Sequence, residues 1–336
     1  MDPLSHAALG AALAEPAARP GHIIAGVAVG AAAALAPDLD FFLIRSSADP
    51  LLALEYHRHF THSFVFAPVG AMLCALPAWL LCRRWLGLRA CALLSLLGYL
   101  SHLLLDACTS YGTLLYWPFS RERVALDIVS AVDPLFTLPL LGFTAWGVLR
   151  RRPLFVIVGL GCALAYLGIG QVQKLRAEQA LRDLATARGH SPERIEAKPS
   201  FGNTLLWRTI YEESGSFHID AVRVGLEPRV FPGETIPALD LARDFPWLRP
   251  DMRQWHDVER FRELAAGYLG VASENRNRIV DIRYSLVPNR ADAFWGIELD
   301  SRSGPEAHAA YVTMRMRSSA EGRELLRMLF QGDPVK

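Results

Sequence analysis

The chain has 336 residues, 51% of them hydrophobic and 21% charged, with a formal net charge of +1. Residues 1–172 hold 11 basic and 10 acidic side chains, whereas residues 173–336 hold 24 of each. Neither half is basic, which excludes a broad electrostatic case for nucleic-acid binding, and the apolar first half excludes an ordinary water-soluble globule.

Length and the charge split predict two domains. The first is a polytopic α-helical membrane domain over residues 1–172, of about six helices with the first two forming a helical hairpin. A soluble α+β domain follows over residues 173–336. Leu4–Ala14 is a short apolar helix, and the breaker-rich stretch 15–21 separates it from apolar Gly21–Ala36. The latter carries Gly26 and Gly30, a spacing that lets helices approach closely. Crossing a bilayer takes roughly 17–25 apolar residues. Phe64–Cys82, Leu86–Leu105, Pro134–Leu149 and Leu154–Gly170 approach or meet that length. The N-terminus has no basic stretch, so no cleavable signal peptide is expected.

Arginines set the orientation. Arg19, Arg83, Arg84, Arg89 and Arg150 to Arg152 fall in alternate turns, while Arg45, Arg58, Arg121 and Arg123 occupy the opposite loops, diluted by acids. The first set is expected in the cytoplasm, which places the opposite loops and the C-terminal domain in the periplasm. Residues 171–188 read as a polar helix continuing the last span. Beyond it the period becomes two at Phe217–Ala221, Trp295–Leu299 and Val312–Met316, with helices expected at Asp257–Leu269 and Ser319–Phe330. About five or six strands are expected. All five cysteines lie in the apolar half without a CxxC pair and read as small apolar helix residues.

Ionisable groups at membrane depth are costly, so those in the apolar half are functional suspects. His102 and Asp106 stand at i and i+4 and share a helix face. His57, His59 and His62 crowd the loop before Phe64, where Thr61 or Ser63 suits a helix cap. Asp38 and Asp40 follow Pro37, where the helix is expected to break at Ala36. Counting from a hairpin turn near Ala18 brings His6 towards the level of Asp38. His6, Asp38, Asp40, His57, His62, His102 and Asp106 are therefore candidate ligands for one or two divalent ions. A donor set of histidine and carboxylate without thiolate suits Zn, with Mn or Fe as alternatives. Other readings remain: interfacial, partly solvated side chains for the histidines before Phe64, and a mutual hydrogen bond or a proton path for His102 and Asp106. Arg58 is a candidate lipid-headgroup contact or a catalytic anion clamp, and Arg121 could also offset developing negative charge. Asp133 is expected to cap the helix opening at Pro134, or to orient a ligand histidine in a catalytic role.

These residues resemble the YdjM-type family of membrane-bound metal-dependent hydrolases. Carrying the resemblance are Asp2 to Ala7, Pro37-Asp38-Leu39-Asp40, His57-Arg58 with Thr61-His62-Ser63, Ser101 to Asp106 with Thr109 to Gly112, Trp117-Pro118-Phe119 and Asp133-Pro134. The likeness covers about residues 1–150, and His59 departs from it where a small residue is expected. It implies a bacterial inner-membrane protein with a divalent-metal site, and a hydrolase assignment itself inferred from those motifs. Similarity of the His-rich set to zinc-dependent phospholipases C adds, by analogy, a phosphoester or lipid substrate at the membrane surface. The expected partners are membrane lipid and such a small-molecule substrate. The alternative function is a divalent-metal or proton transporter using the same cluster. A third reading makes the apolar half an anchor for a binding domain.

Overall fold

Asp2 opens the first helix by accepting from the backbone N–H groups of Leu4 and Ser5 at 3.0 and 3.1 Å, with Pro3 in the first turn. A computed structural model of the chain describes residues 1–18, 20–44, 49–314 and 319–331. Arg19, Arg45 and the expected alternation at 315–317 lie outside the described residues.

Helix α1 (Pro3–Ala14) packs on α2 (Ile23–Leu35) as a hairpin. Gly10 and Gly30 make the approach possible: a Cβ added to either would lie 2.5 Å from the other's carbonyl oxygen. Pro37 ends the apolar run. Ala36 keeps right-handed dihedrals, so the break is a tightening into a 3₁₀ turn at Pro37–Leu39 before the short α3 (Asp40–Ile44). The chain continues through α4 (Leu52–Tyr56) and a 3₁₀ turn at Phe60–His62. Then come α5 (Ala67–Cys82), α6 (Leu88–Cys108), α7 (Pro134–Arg150) and α8 (Pro153–Ala187). Among the described residues, α6 and α8 are long and apolar enough to cross a membrane; Leu52–His62 with Ala67–Cys82 adds a third span if that bent pair counts as one.

Contacts divide the chain into two units. The first comprises Met1–Arg45, Tyr56–Gln171 and Phe201–Asn203; the second comprises Ser46–Glu55, Val172–Ser200 and Thr204–Lys336.

In the second unit, strands β1 (Arg194–Pro199), β2 (Leu206–Glu213), β3 (Ser216–Val224), β4 (Pro228–Phe231) and β5 (Thr235–Pro237) form one antiparallel sheet. Its order is β1-β2-β3-β4, with β5 also on β3. Two short helices, α9 (Leu241–Asp244) and α10 (Arg253–Leu264), precede a second antiparallel sheet. That sheet runs β6 (Leu269–Val271), β7 (Arg278–Asp281), β8 (Trp295–Glu298), β9 (Ala310–Thr313), and α11 (Ser319–Phe330) follows.

Nine strands among the described residues exceed the five or six expected. Strand β2 gave no alternation because Leu206 to Tyr211 are buried on both faces. The helix expected to reach Leu269 stops at Leu264, since Ala266 and Gly267 turn left-handed (φ 48° and 78°) and release the chain into β6.

Candidate metal centre

Helix α6 supplies the frame. His102 and Asp106 lie one turn apart and both are fully buried, with Nε2 3.2 Å from Oδ2. The 3₁₀ turn at Phe60–His62 brings in His62, whose Nε2 is 3.0 Å from that of His102 and 3.5 Å from Asp106 Oδ2. The 3₁₀ turn at Pro37–Leu39 brings in Asp38, with Oδ1 3.5 Å from each imidazole Nε2. All four ligand atoms lie within 4.8 Å of one another.

Hydrogen-bond partners fix both tautomers. The Ala34 carbonyl only accepts, so His102 Nδ1 donates to it at 2.6 Å. The Thr61 hydroxyl donates to Asp40 Oδ2 at 2.8 Å, which leaves its oxygen to accept from His62 Nδ1 at 3.0 Å. In the neutral imidazoles both Nε2 atoms then carry lone pairs, and they face each other beside two carboxylate oxygens. Asp38 Oδ1 is buried and accepts no hydrogen bond. Four electron-rich atoms converging in this way call for a cation between them. A tetrahedral ion with ligands at about 2.0–2.1 Å spaces those ligands about 3.3 Å apart. The five separations above run from 3.0 to 3.5 Å. The residues fit such an ion.

The other expected ligands surround this quartet. His6 is fully buried, stacks on His102 with centroids 3.7 Å apart, and places Nε2 3.1 Å from Asp106 Oδ1. Asp40 lies behind His62: it meets His57 Nδ1 at 3.0 Å, accepts from the Arg58 N–H at 3.2 Å, and lies 3.5 Å from His62 Nδ1. His57 is part exposed at the edge. Arg58 turns inward, with Nε 3.0 Å from Asp106 Oδ2 and Nη1 donating to Thr109 Oγ1 at 3.1 Å. Asp133 caps α7 through Leu135 N and Phe136 N and accepts from the Tyr166 hydroxyl at 2.9 Å. His59 lies against the rings of Tyr56 and Trp117, and Arg121 is exposed.

Thr61 orients His62 rather than capping a helix, and Tyr99, which no sequence feature marks, donates its hydroxyl to the Thr61 carbonyl at 2.7 Å. The adjacency of Thr61 to His62 was the available signal. In the second unit Asp49, Asp257 and His308 also gather. There Arg260 reaches both aspartates, at 2.9 and 3.2 Å, so a cation already serves that group.

Residues 1–177 match the family model described as YdjM inner membrane protein, more than half of the chain. Inner membrane protein YbcI of Escherichia coli (strain K12) is 45% identical over 71 residues, which make up 20% of this chain and 39% of YbcI. The match therefore spans well under half of that relative's length. No solved structure matches the chain. The matched residues include every member of the quartet, and the chain belongs to the YdjM inner membrane protein family.

Proposed function

We propose that this protein is a metal-dependent hydrolase of the bacterial inner membrane, acting on a phosphoester or lipid-like substrate at the periplasmic face. The observation that carries the reading is the pair of imidazole Nε2 atoms 3.0 Å apart, flanked by two carboxylate oxygens. Zn suits two imidazoles and two carboxylates, with Mn or Fe as alternatives and one or two ions held. When bound, such an ion supplies Lewis acidity and activates water at neutral pH.

The chain's own residues do the rest. His62 and His102 are held in their ligating tautomers by Thr61 and the Ala34 carbonyl. Asp38 is the one member of the quartet whose side chain is part exposed, at 28%, so substrate reaches the centre along its edge. Asp40 engages His57 through Nδ1 at 3.0 Å and so holds its part-exposed ring at the edge of the cluster. The arginine bias of the loops supports the orientation, with the C-terminal domain periplasmic.

Elemental analysis of detergent-purified protein, paired with turnover of a panel of phosphoesters and phospholipids, tests the reading. The expected result is stoichiometric divalent metal, lost with turnover in His102→Ala. Metal without turnover across the panel argues against hydrolysis. Full metal content in His102→Ala removes the ligand assignment. Metal uptake into proteoliposomes that is abolished by the same substitution would favour transport.

A further inference from the structure

Arg58 has a left-handed backbone, φ 59°. A glycine or asparagine takes that conformation at lower cost than a long side chain, and such strain persists where the surroundings fix it. Here they do. Its N–H donates to Asp40 Oδ2 at 3.2 Å, and its carbonyl accepts from Leu114 N at 3.3 Å. The turn aims the guanidinium into the protein, where the residue is 7% exposed. The guanidinium lies over the Tyr111 ring at 5.3 Å, donates to Thr109, and places Nε 3.0 Å from Asp106 Oδ2.

That oxygen is also Asp106's contribution to the quartet, 3.2 Å from His102 Nε2 and 3.5 Å from His62 Nε2. One carboxylate oxygen thus faces a permanent cation on one side and the metal position on the other. The guanidinium draws on the same lone-pair density that the ion needs, and repels the ion directly. The side chain is consequently not free to clamp a substrate anion in the way its sequence position suggests.

We propose that Arg58 is a positioning residue acting through Asp106: it weakens the centre's hold on its cation and leaves the loaded centre positive enough to take an exogenous anion along the Asp38 edge. This rests on the metal-centre reading but not on hydrolysis. Removing one positive charge beside a ligand oxygen favours cation binding and disfavours anion binding, whatever the remaining charges are.

The experiment uses the full-length protein in detergent, loaded with Co(II) as a spectroscopic probe, with Co(II) affinity measured by chelator competition. Inorganic phosphate is then titrated against the d–d absorption. Arg58→Gln is expected to bind Co(II) at least about tenfold more tightly and phosphate at least about tenfold more weakly, while Arg58→Lys stays near wild type. An unchanged or weaker Co(II) affinity in Arg58→Gln, or unchanged phosphate binding, overturns the proposal. If Arg58→Gln does not fold, Thr109→Val carries the test, because it removes one of the contacts that position the guanidinium without removing charge. A severalfold loss of phosphate affinity supports the assignment, and wild-type behaviour overturns it. Failure of the wild type to bind Co(II) at all overturns the metal centre itself, a result distinct from any Arg58 outcome.

Discussion

His102 Nδ1 and the Ala34 carbonyl stand 2.6 Å apart because α2 and α6 run backbone against backbone at two glycines. A Cβ on Gly98 would sit 2.2 Å from the Gly30 carbonyl oxygen and 3.1 Å from Ala34 N. Close packing, tautomer and ligand orientation are therefore one feature. Gly98→Ala is expected to force the helices apart, costing about 1–3 kcal/mol as overpacking does. Metal affinity should fall with stability, because the Ala34 carbonyl moves from His102. Thermal unfolding with and without added Zn measures both; a variant with wild-type Zn stabilisation would separate packing from ligation.

The outer layer should matter nearly as much as the ligands. Thr61→Val removes the hydroxyl that joins Asp40 to His62 and leaves His62 Nδ1 without its acceptor. Loss of such an orienting partner typically costs about 10–100-fold in metal affinity. Asp40→Asn should have a similar effect, since it weakens the same chain from its other end. Chelator competition reads the change. A Thr61→Val protein with undiminished affinity would show that His62 is oriented by other contacts.

Much of this His/Asp cluster was legible in sequence because its strongest signals are local. An i, i+4 His102–Asp106 pair needs only helical periodicity, and Pro37 announces the break that carries Asp38. What could not be read was depth. Asp40 and Asp38 look equivalent in an Asp-x-Asp, yet in the 3₁₀ turn Asp38 reaches both Nε2 atoms while Asp40 meets His57, Thr61 and the Arg58 N–H. Arg58 could equally have pointed outward; its left-handed backbone, invisible in sequence, decides. In the sheets, β2 carries buried Arg208, whose guanidinium donates to the carbonyls of Ile282, Pro288 and Arg290. A charged residue inside the buried stretch of a strand reads as the opposite of what it is.

The C-terminal unit is expected to lose stability in acid through His218. His218 stacks on Tyr211, with centroids 4.6 Å apart, and its ring lies 4.7 Å from that of His190. Partial burial, then His190 and Arg188, hold its imidazole below the ordinary histidine value, while Asp220 and Glu213 pull the other way. The folded state thus takes up the proton less readily than the unfolded chain. Its stability contribution is complete above the ordinary value of 6.5 and is lost as pH falls below it. His218→Gln should flatten that acid limb, which hydrogen exchange of β3 as a function of pH would follow. An unchanged slope would assign the sensitivity elsewhere.

Residues 49–55 belong to the second unit although the chain on either side belongs to the first. Two forces hold them there. Leu51 is fully buried in the core with Val258 and Phe261. Arg260 contacts both Glu55 carboxylate oxygens at 2.6 and 2.8 Å and Asp49 at 2.9 Å. Asp257, which also meets Arg260, is fixed in turn by His308 and the Ala309 N–H. Arg260 and its two partners in this segment are all part exposed, so the ion network should contribute only about 1 kcal/mol. Arg260→Ala is then expected to lower the melting temperature by about 2–4 °C. Leu51→Ala, which empties a packed site, should cost about 2–5 kcal/mol. Hydrogen exchange at 51–55 should rise in both variants, and much more in Leu51→Ala. If Arg260→Ala proves the more damaging, charge rather than burial anchors the segment that leads into His57 and His62.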